Sequence, residues 1–136
     1  MSDLSSAMAS AASGLRAQSI RMRIAAENVA NADSTGQSPG ADPYARRMPV
    51  LKTKQMEDGG IGVSVVGAQT DHSAFKLQFE PGHPAADANG YVKTPNVDPL
   101  VEMMDMREAS RAYEANLNMI DTARQLTSRA LDLLRK

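Results

Sequence analysis

Few side chains in this 136-residue chain are of the types that do acid–base, nucleophilic or metal chemistry, and their spacing keeps them apart. The two histidines are the first candidates. A helical zinc site would set two imidazoles four residues apart on one face. Here His72 follows Asp71, and His83 lies between Pro81 and Pro84, so both read as surface or turn residues. Asp87, Asn89 and Gly90 look like a fragment of a calcium loop, but the alternating oxygen ligands and the closing Glu are missing, which leaves a turn leading into Tyr91 and Val92. The glycines at 59 to 62 lack the Lys and Ser or Thr of a phosphate loop and read as a hairpin connection. Met103, Met104 and Met106 could serve a soft metal, yet no Cys or nearby His supports them, and methionines along a helix more often pack. No catalytic, cofactor-binding or metal residue is assigned, and no enzyme activity or cofactor is expected.

Composition narrows the remaining classes. Fifteen basic residues nearly cancel sixteen acidic ones, and only Arg21 with Arg23 and Arg46 with Arg47 approach a basic cluster, so nucleic acid is not an expected partner. Leu, Ile, Val and Phe make up only 24 residues, whereas Ala contributes 21 and Met nine. That set packs a compact monomer thinly, but it suits helices that approach closely and adapt to uneven surfaces. The N-terminus lacks the pattern of a cleaved secretory signal, and no window is apolar enough for a membrane anchor, so no direct membrane insertion is expected.

The breakers set the organisation. All seven prolines and eight of the nine glycines fall between Gly36 and Pro99, dividing the chain into helix, irregular or strand-rich middle, and helix. The first helix carries a heptad row at Leu4, Met8, Ala11, Leu15, Met22, Ala25 and Val29, interrupted at Gln18, with Asp3 as its expected cap and Asn31 to Gly36 as its closing turn. The second opens with Asp98 as N-cap and Pro99 at the first helical position. Its row runs through Ala109, Ala112, Met119, Ala123, Leu126, Ala130 and Leu133, is broken at Asn116, and is widened by Tyr113, Leu117, Ile120, Leu131 and Leu134. Glu108 with Arg111, Asp121 with Arg124, and Asp132 with Arg135 are expected as pairs on the far face, with Arg135 and Lys136 complementing the helix end. Strands are expected at Met48 to Thr53, Gly62 to Val66 and Phe75 to Phe79. The expected fold is α+β: long N- and C-terminal helices paired as a coiled-coil-like hairpin, with a small β-rich insertion. The division is residues 1–35, 36–97 and 98–136.

The run Ser13-Gly14-Leu15-Arg16-Ala17-Gln18, followed by Ala26-Glu27-Asn28-Val29-Ala30-Asn31-Ala32-Asp33-Ser34-Thr35-Gly36, resembles the N-terminal signature of flagellar axial proteins. A longer stretch, Glu80-Pro81-Gly82-His83-Pro84 through Gly90-Tyr91-Val92-Lys93 and on to Pro95-Asn96-Val97-Asp98-Pro99, is similar to the proximal-rod type, the FlgC family of basal-body rod proteins. Ala109-Ser110-Arg111-Ala112-Tyr113-Glu114-Ala115-Asn116 is similar to that family's C-terminal helix motif. The turn at Thr35-Gly36 leads into a Pro- and Gly-containing spacer before Pro43-Tyr44, a spacing that also resembles the proximal-rod type.

The resemblance implies a structural subunit of the bacterial flagellum basal body that polymerises through its terminal helices into a hollow, torque-transmitting rod. It implies partners among copies of itself and other rod proteins, export through the flagellar type III apparatus without signal cleavage, and a final place in the periplasmic rod. The expected interface residues are Leu4, Met8, Ala11, Leu15, Met22, Val29, Tyr113, Leu117, Ile120, Leu126 and Leu133. Periodicity alone leaves two other readings open: an intramolecular helical hairpin in a monomer, and a soluble helical adaptor or chaperone-like module.

Overall fold

The computed structural model describes residues 2–135. In chain order these form α1 (Ser2–Ala30), β1 (Arg47–Gln55), β2 (Ile61–Thr70), β3 (Lys76–Phe79), β4 (Tyr91–Thr94) and α2 (Pro99–Leu134). The two long helices pack along one another, with two small antiparallel sheets, β1–β2 and β3–β4, between them in sequence. The expected α+β architecture is therefore the observed one.

Local chemistry explains where the helices stop and start. At the end of α1 the Asn31 backbone N–H and side-chain Nδ2 both donate to the Glu27 carbonyl, at 3.1 and 2.8 Å, and Ser34 N–H turns back to Asn31 O. Asp98 caps α2 as expected: its Oδ1 accepts the Leu100 N–H at 3.0 Å, and Pro99 takes a position where no N–H is needed. The expected cap at Asp3 is not formed. Asp3 lies inside the first turn of α1, where its carboxylate still favours the positive helix end. Lys136 lies outside the described residues.

The register of the helix pair follows from two contacts. Gly14 faces Asn116, where an added Cβ would lie 2.6 Å from Nδ2, and Asn28 donates to Glu102 at 3.2 Å. From the first contact to the second, each helix advances by the same number of residues, so the pair is antiparallel and unslipped. Extended the other way, this register sets Ser2 opposite Ser128, and the last turns of α2 project past the described start of α1.

On α2 the inward row is Glu102, Ala109, Asn116 and Ala123, a strict seven-residue step. Three of these are buried and Asn116 is half-buried. On α1 the same register turns Ala11, Gly14 and Ala25 toward α2, and these small residues allow close helix approach. The expected row on α2 is thus corrected beyond Asn116. Met119, Leu126, Ala130 and Leu133 lie off the inward face and are exposed, because the seam continues through the polar Asn116 opposite Gly14. The expected pairs Glu108–Arg111, Asp121–Arg124 and Asp132–Arg135 are not closed within 4.0 Å; the described ion pairs lie elsewhere.

The β1–β2 hairpin runs along α1. Ser10 Oγ donates to Ile61 O at 2.8 Å, and Val63 N–H donates to Ser13 Oγ at 3.0 Å. Gly62 makes this approach possible, since a Cβ there would sit 2.7 Å from Ser13 Oγ. A register shift between Val50 and Leu51 bends the ribbon. The β3–β4 pair includes a strand not expected from the sequence, Tyr91–Thr94, with Phe79 and Tyr91 meeting edge to face at 5.2 Å between ring centroids.

Candidate assembly surface

Two kinds of site emerge from this frame: an apolar surface with nothing over it, and a buried polar node that binds the segments together. The surface is large. The chain exposes 9119 Å², whereas a compact monomer of 14.6 kDa exposes about 6,900 Å². The excess of about 2,200 Å² is well above the roughly 800 Å² that one partner gives to a standard protein–protein interface, enough for more than one such contact.

Much of that area is apolar and lies on α2. Leu117, on one flank of the helix, is 42% exposed; Leu126 and Leu133, on the opposite flank with Met119, are 49% and 74% exposed, and Leu131 and Leu134 add bare apolar surface at the helix end. The other expected interface residues are placed differently. Leu4, Met8, Leu15, Met22, Val29, Tyr113 and Ile120 are partly covered, and Ala11, 6% exposed, is spent inside the chain and has little surface to give a partner. A second bare stretch, Leu100, Val101, Met103 and Met104, opens α2; the two methionines were expected to pack, and within this chain they are exposed. The i, i+3, i+4 spacing of Leu100, Met103 and Met104 was the available signal. Leu77, Phe79 and Tyr91 expose a third apolar patch on one face of β3–β4, where Phe79 pairs with Tyr91.

The polar node centres on Arg46. Its guanidinium pairs with Glu102 through Nε and lies 3.4 Å from Asp105 and 3.6 Å from Asp71. Glu102 is 1% exposed and also accepts from Asn28. Asn28, equally buried, donates to Arg47 O at 2.8 Å and accepts from Arg47 N–H at 3.0 Å and Tyr44 O–H at 2.6 Å. Asn96 accepts the Arg46 N–H at 2.8 Å and donates to Asp71 O at 3.0 Å. Burial alone would lower the Arg46 pKa, but the hydrogen bond and charge of Glu102, with Asp105 and Asp71, outweigh it and raise the value. Burial pushes the Tyr44 phenol up, against the pull of Arg47. The Ser73 backbone bond, then the Ser73 hydroxyl and Arg46, hold Asp71 below the usual carboxylate range.

None of this is arranged to transform a substrate. His72 is exposed, and His83 Nδ1 accepts the Ala85 N–H at 3.0 Å within its turn. Among the described residues no group of three or more His, Cys, Asp or Glu could hold a metal ion, and no helix is long and apolar enough to cross a membrane.

Comparison with known proteins agrees with this geometry. The family described as "Flagella basal body rod protein" matches residues 8–36, and that described as "Flagellar basal body rod FlgEFG protein C-terminal" matches residues 88–133. The flagellar basal-body rod protein FlgC of Agrobacterium fabrum is 48% identical over 136 residues, covering 99% of this chain and 98% of the relative. FlgC of Salmonella typhimurium is 42% identical over 125 residues, and FlgC of Bacillus subtilis 37% over 138, each covering 90% of this chain and 92% of the relative.

Proposed function

The chain belongs to the FlgC family of flagellar basal-body rod proteins, non-enzymatic structural subunits of the proximal rod, and from that premise we propose how it assembles. Its terminal segments, residues 1–35 and 98–136, form the axial part of a hollow shaft, and residues 36–97 lie farther out. Successive subunits meet in heterologous contacts, the kind that extend without closing and so build a helical tube. The two outward flanks of α2, one at Leu117 and the other at Leu126 and Leu133, supply the apolar half of those contacts. Partly covered residues, Leu4, Met8, Leu15, Met22, Val29, Tyr113 and Ile120, form their margin.

The bare apolar flanks of α2 carry this reading, because apolar area in that amount is worth burying and has no cover within the chain. The shaft transmits torque because close-packed interfaces resist deformation. Neighbours are copies of this chain and other rod proteins. Delivery is by the flagellar type III apparatus without signal cleavage, ending in the periplasmic part of the basal body.

The direct test is Leu117→Asp. A carboxylate placed in a desolvated contact costs several kcal/mol, so cells carrying only this variant should contain normal amounts of the chain, build no rod and not swim. Normal swimming would overturn the proposal.

A further inference from the structure

Three of the five connections in the chain, all but the β1–β2 and β3–β4 turns, meet at the Arg46 node. The segment leaving α1 enters β1 at Arg46 and Arg47; the one leaving β2 begins at Asp71; the one leaving β4 contains Asn96; and α2 opens with Glu102 in its first turns. The bonded partners are remote in sequence: Asn28 and Glu102 are 74 residues apart, Arg46 and Glu102 are 56, and Arg46 and Asn96 are 50. A buried carboxylate such as Glu102 is tolerable only with its cation and hydrogen-bond donors in place, so the node forms as a set.

The node also sits at one end of a matched pair of rods. From Ser10 to Asn28 α1 advances about 27 Å, and β2 from Ile61 to Thr70 advances about 30 Å. The hairpin tip therefore rests beside Ser10 while its base is held at the node. Between the ends, the described hydrogen bonds from α1 to the hairpin are the two at Ser10 and Ser13, both to single backbone groups. At the hairpin base the charged attachments described are the Arg46 pairs, of which the one to Glu102 is buried, and the more exposed Arg47–Glu27 pair to α1 at 3.7 Å.

We propose that the Arg46–Glu102–Asn28 node is the joint that seats the β1–β2 hairpin on the helix pair and passes force between the outer sheets and the helices. The force-passing part rests on the rod reading above; the seating part does not. Loss of the joint lets the hairpin lift from α1 along its length while α1 and α2 remain paired through Ala109, Asn116 and Ala123.

The chain has no Cys, so paired cysteines report each contact cleanly. Ser10→Cys with Gly60→Cys, in a Ser6→Ala background that removes the hydroxyl a Cβ at Gly60 would meet, reports the hairpin tip, because that Cβ lies 3.4 Å from Ser10 Oγ, within reach of a disulfide. Gly14→Cys with Asn116→Cys reports the helix pair. Both are placed in the full-length chain in cells and oxidised, with and without Arg46→Ala. The tip cross-link should fall about tenfold and the helix cross-link change less than about twofold, with Arg46→Lys recovering part of the loss. An unchanged tip cross-link, or loss of both cross-links together, would overturn the seating claim. Where the tip cross-link falls as expected, Arg46→Ala cells should stall in viscous medium; undiminished swimming there would overturn force transfer. Failure of the rod reading itself would show separately, as swimming by Leu117→Asp cells.

Discussion

The two helices carry similar heptad rows in sequence, yet the structure treats them in opposite ways. The α1 helix is covered on two sides, by α2 along Ala11, Gly14 and Ala25 and by the hairpin along Ser10 and Ser13, the side on which the buried Ala17 and Ile24 lie. The α2 helix contributes Ala109 and Ala123 to the same seam and leaves its leucines bare. Small side chains face inward and large ones outward, the reverse of a self-sufficient monomer. Close contact within the subunit is made by Ala and Gly, and the bulk needed to fill space is kept for neighbours.

Charge introduced on either side of α2 is the strongest way to break that contrast. Ala109→Asp puts an unpaired carboxylate at a site 1% exposed and should unfold the helix pair, a loss of about 3 kcal/mol or more, seen as a collapse of the urea midpoint. Leu126→Asp, only turns away but outward, should leave that midpoint within about 0.5 kcal/mol while abolishing rod assembly. Equal effects on the two folds would erase the distinction between the faces.

A smaller effect sharpens it. Ala123→Leu forces extra volume between close helices and should cost about 1–3 kcal/mol, read from the same urea titration. The smallest concerns the node. Because the folded protein holds Asp71 below its ordinary value of 3.8, its contribution is present above that pH and disappears as pH falls through the lowered value. Asp71→Asn should therefore be less stable than the parent near neutrality, with the difference shrinking on acidification; a difference constant with pH would mean that Ser73 and Arg46 do not hold the Asp71 carboxylate in the folded chain.

Much of this fold was legible because its signals are local. Asp98-Pro99 announces a helix start by hydrogen-bond chemistry that needs no tertiary partner, and Asn31 ends α1 in the same way. The exposed α2 leucines were also within reach of periodicity. Features set by distant partners were not. The seam crosses Asn116 because Gly14 makes room for it, and no pattern within α2 encodes that. Arg46 and Arg47 looked like the nearest thing to a basic patch, but Glu102, Asp105, Asp71 and Glu27 neutralise them from remote parts of the chain. The four-residue β4 follows an Asp87-centred turn and is too short to show its own alternation.

Maleimide labelling of a single cysteine at Leu126 tests the central claim most directly, since the chain has no Cys of its own. With Leu126→Cys the purified chain should react fully and the same position in isolated basal bodies should be protected at least about tenfold. Equal labelling in both would mean that the bare face of α2 stays in water after assembly, and the account would fail.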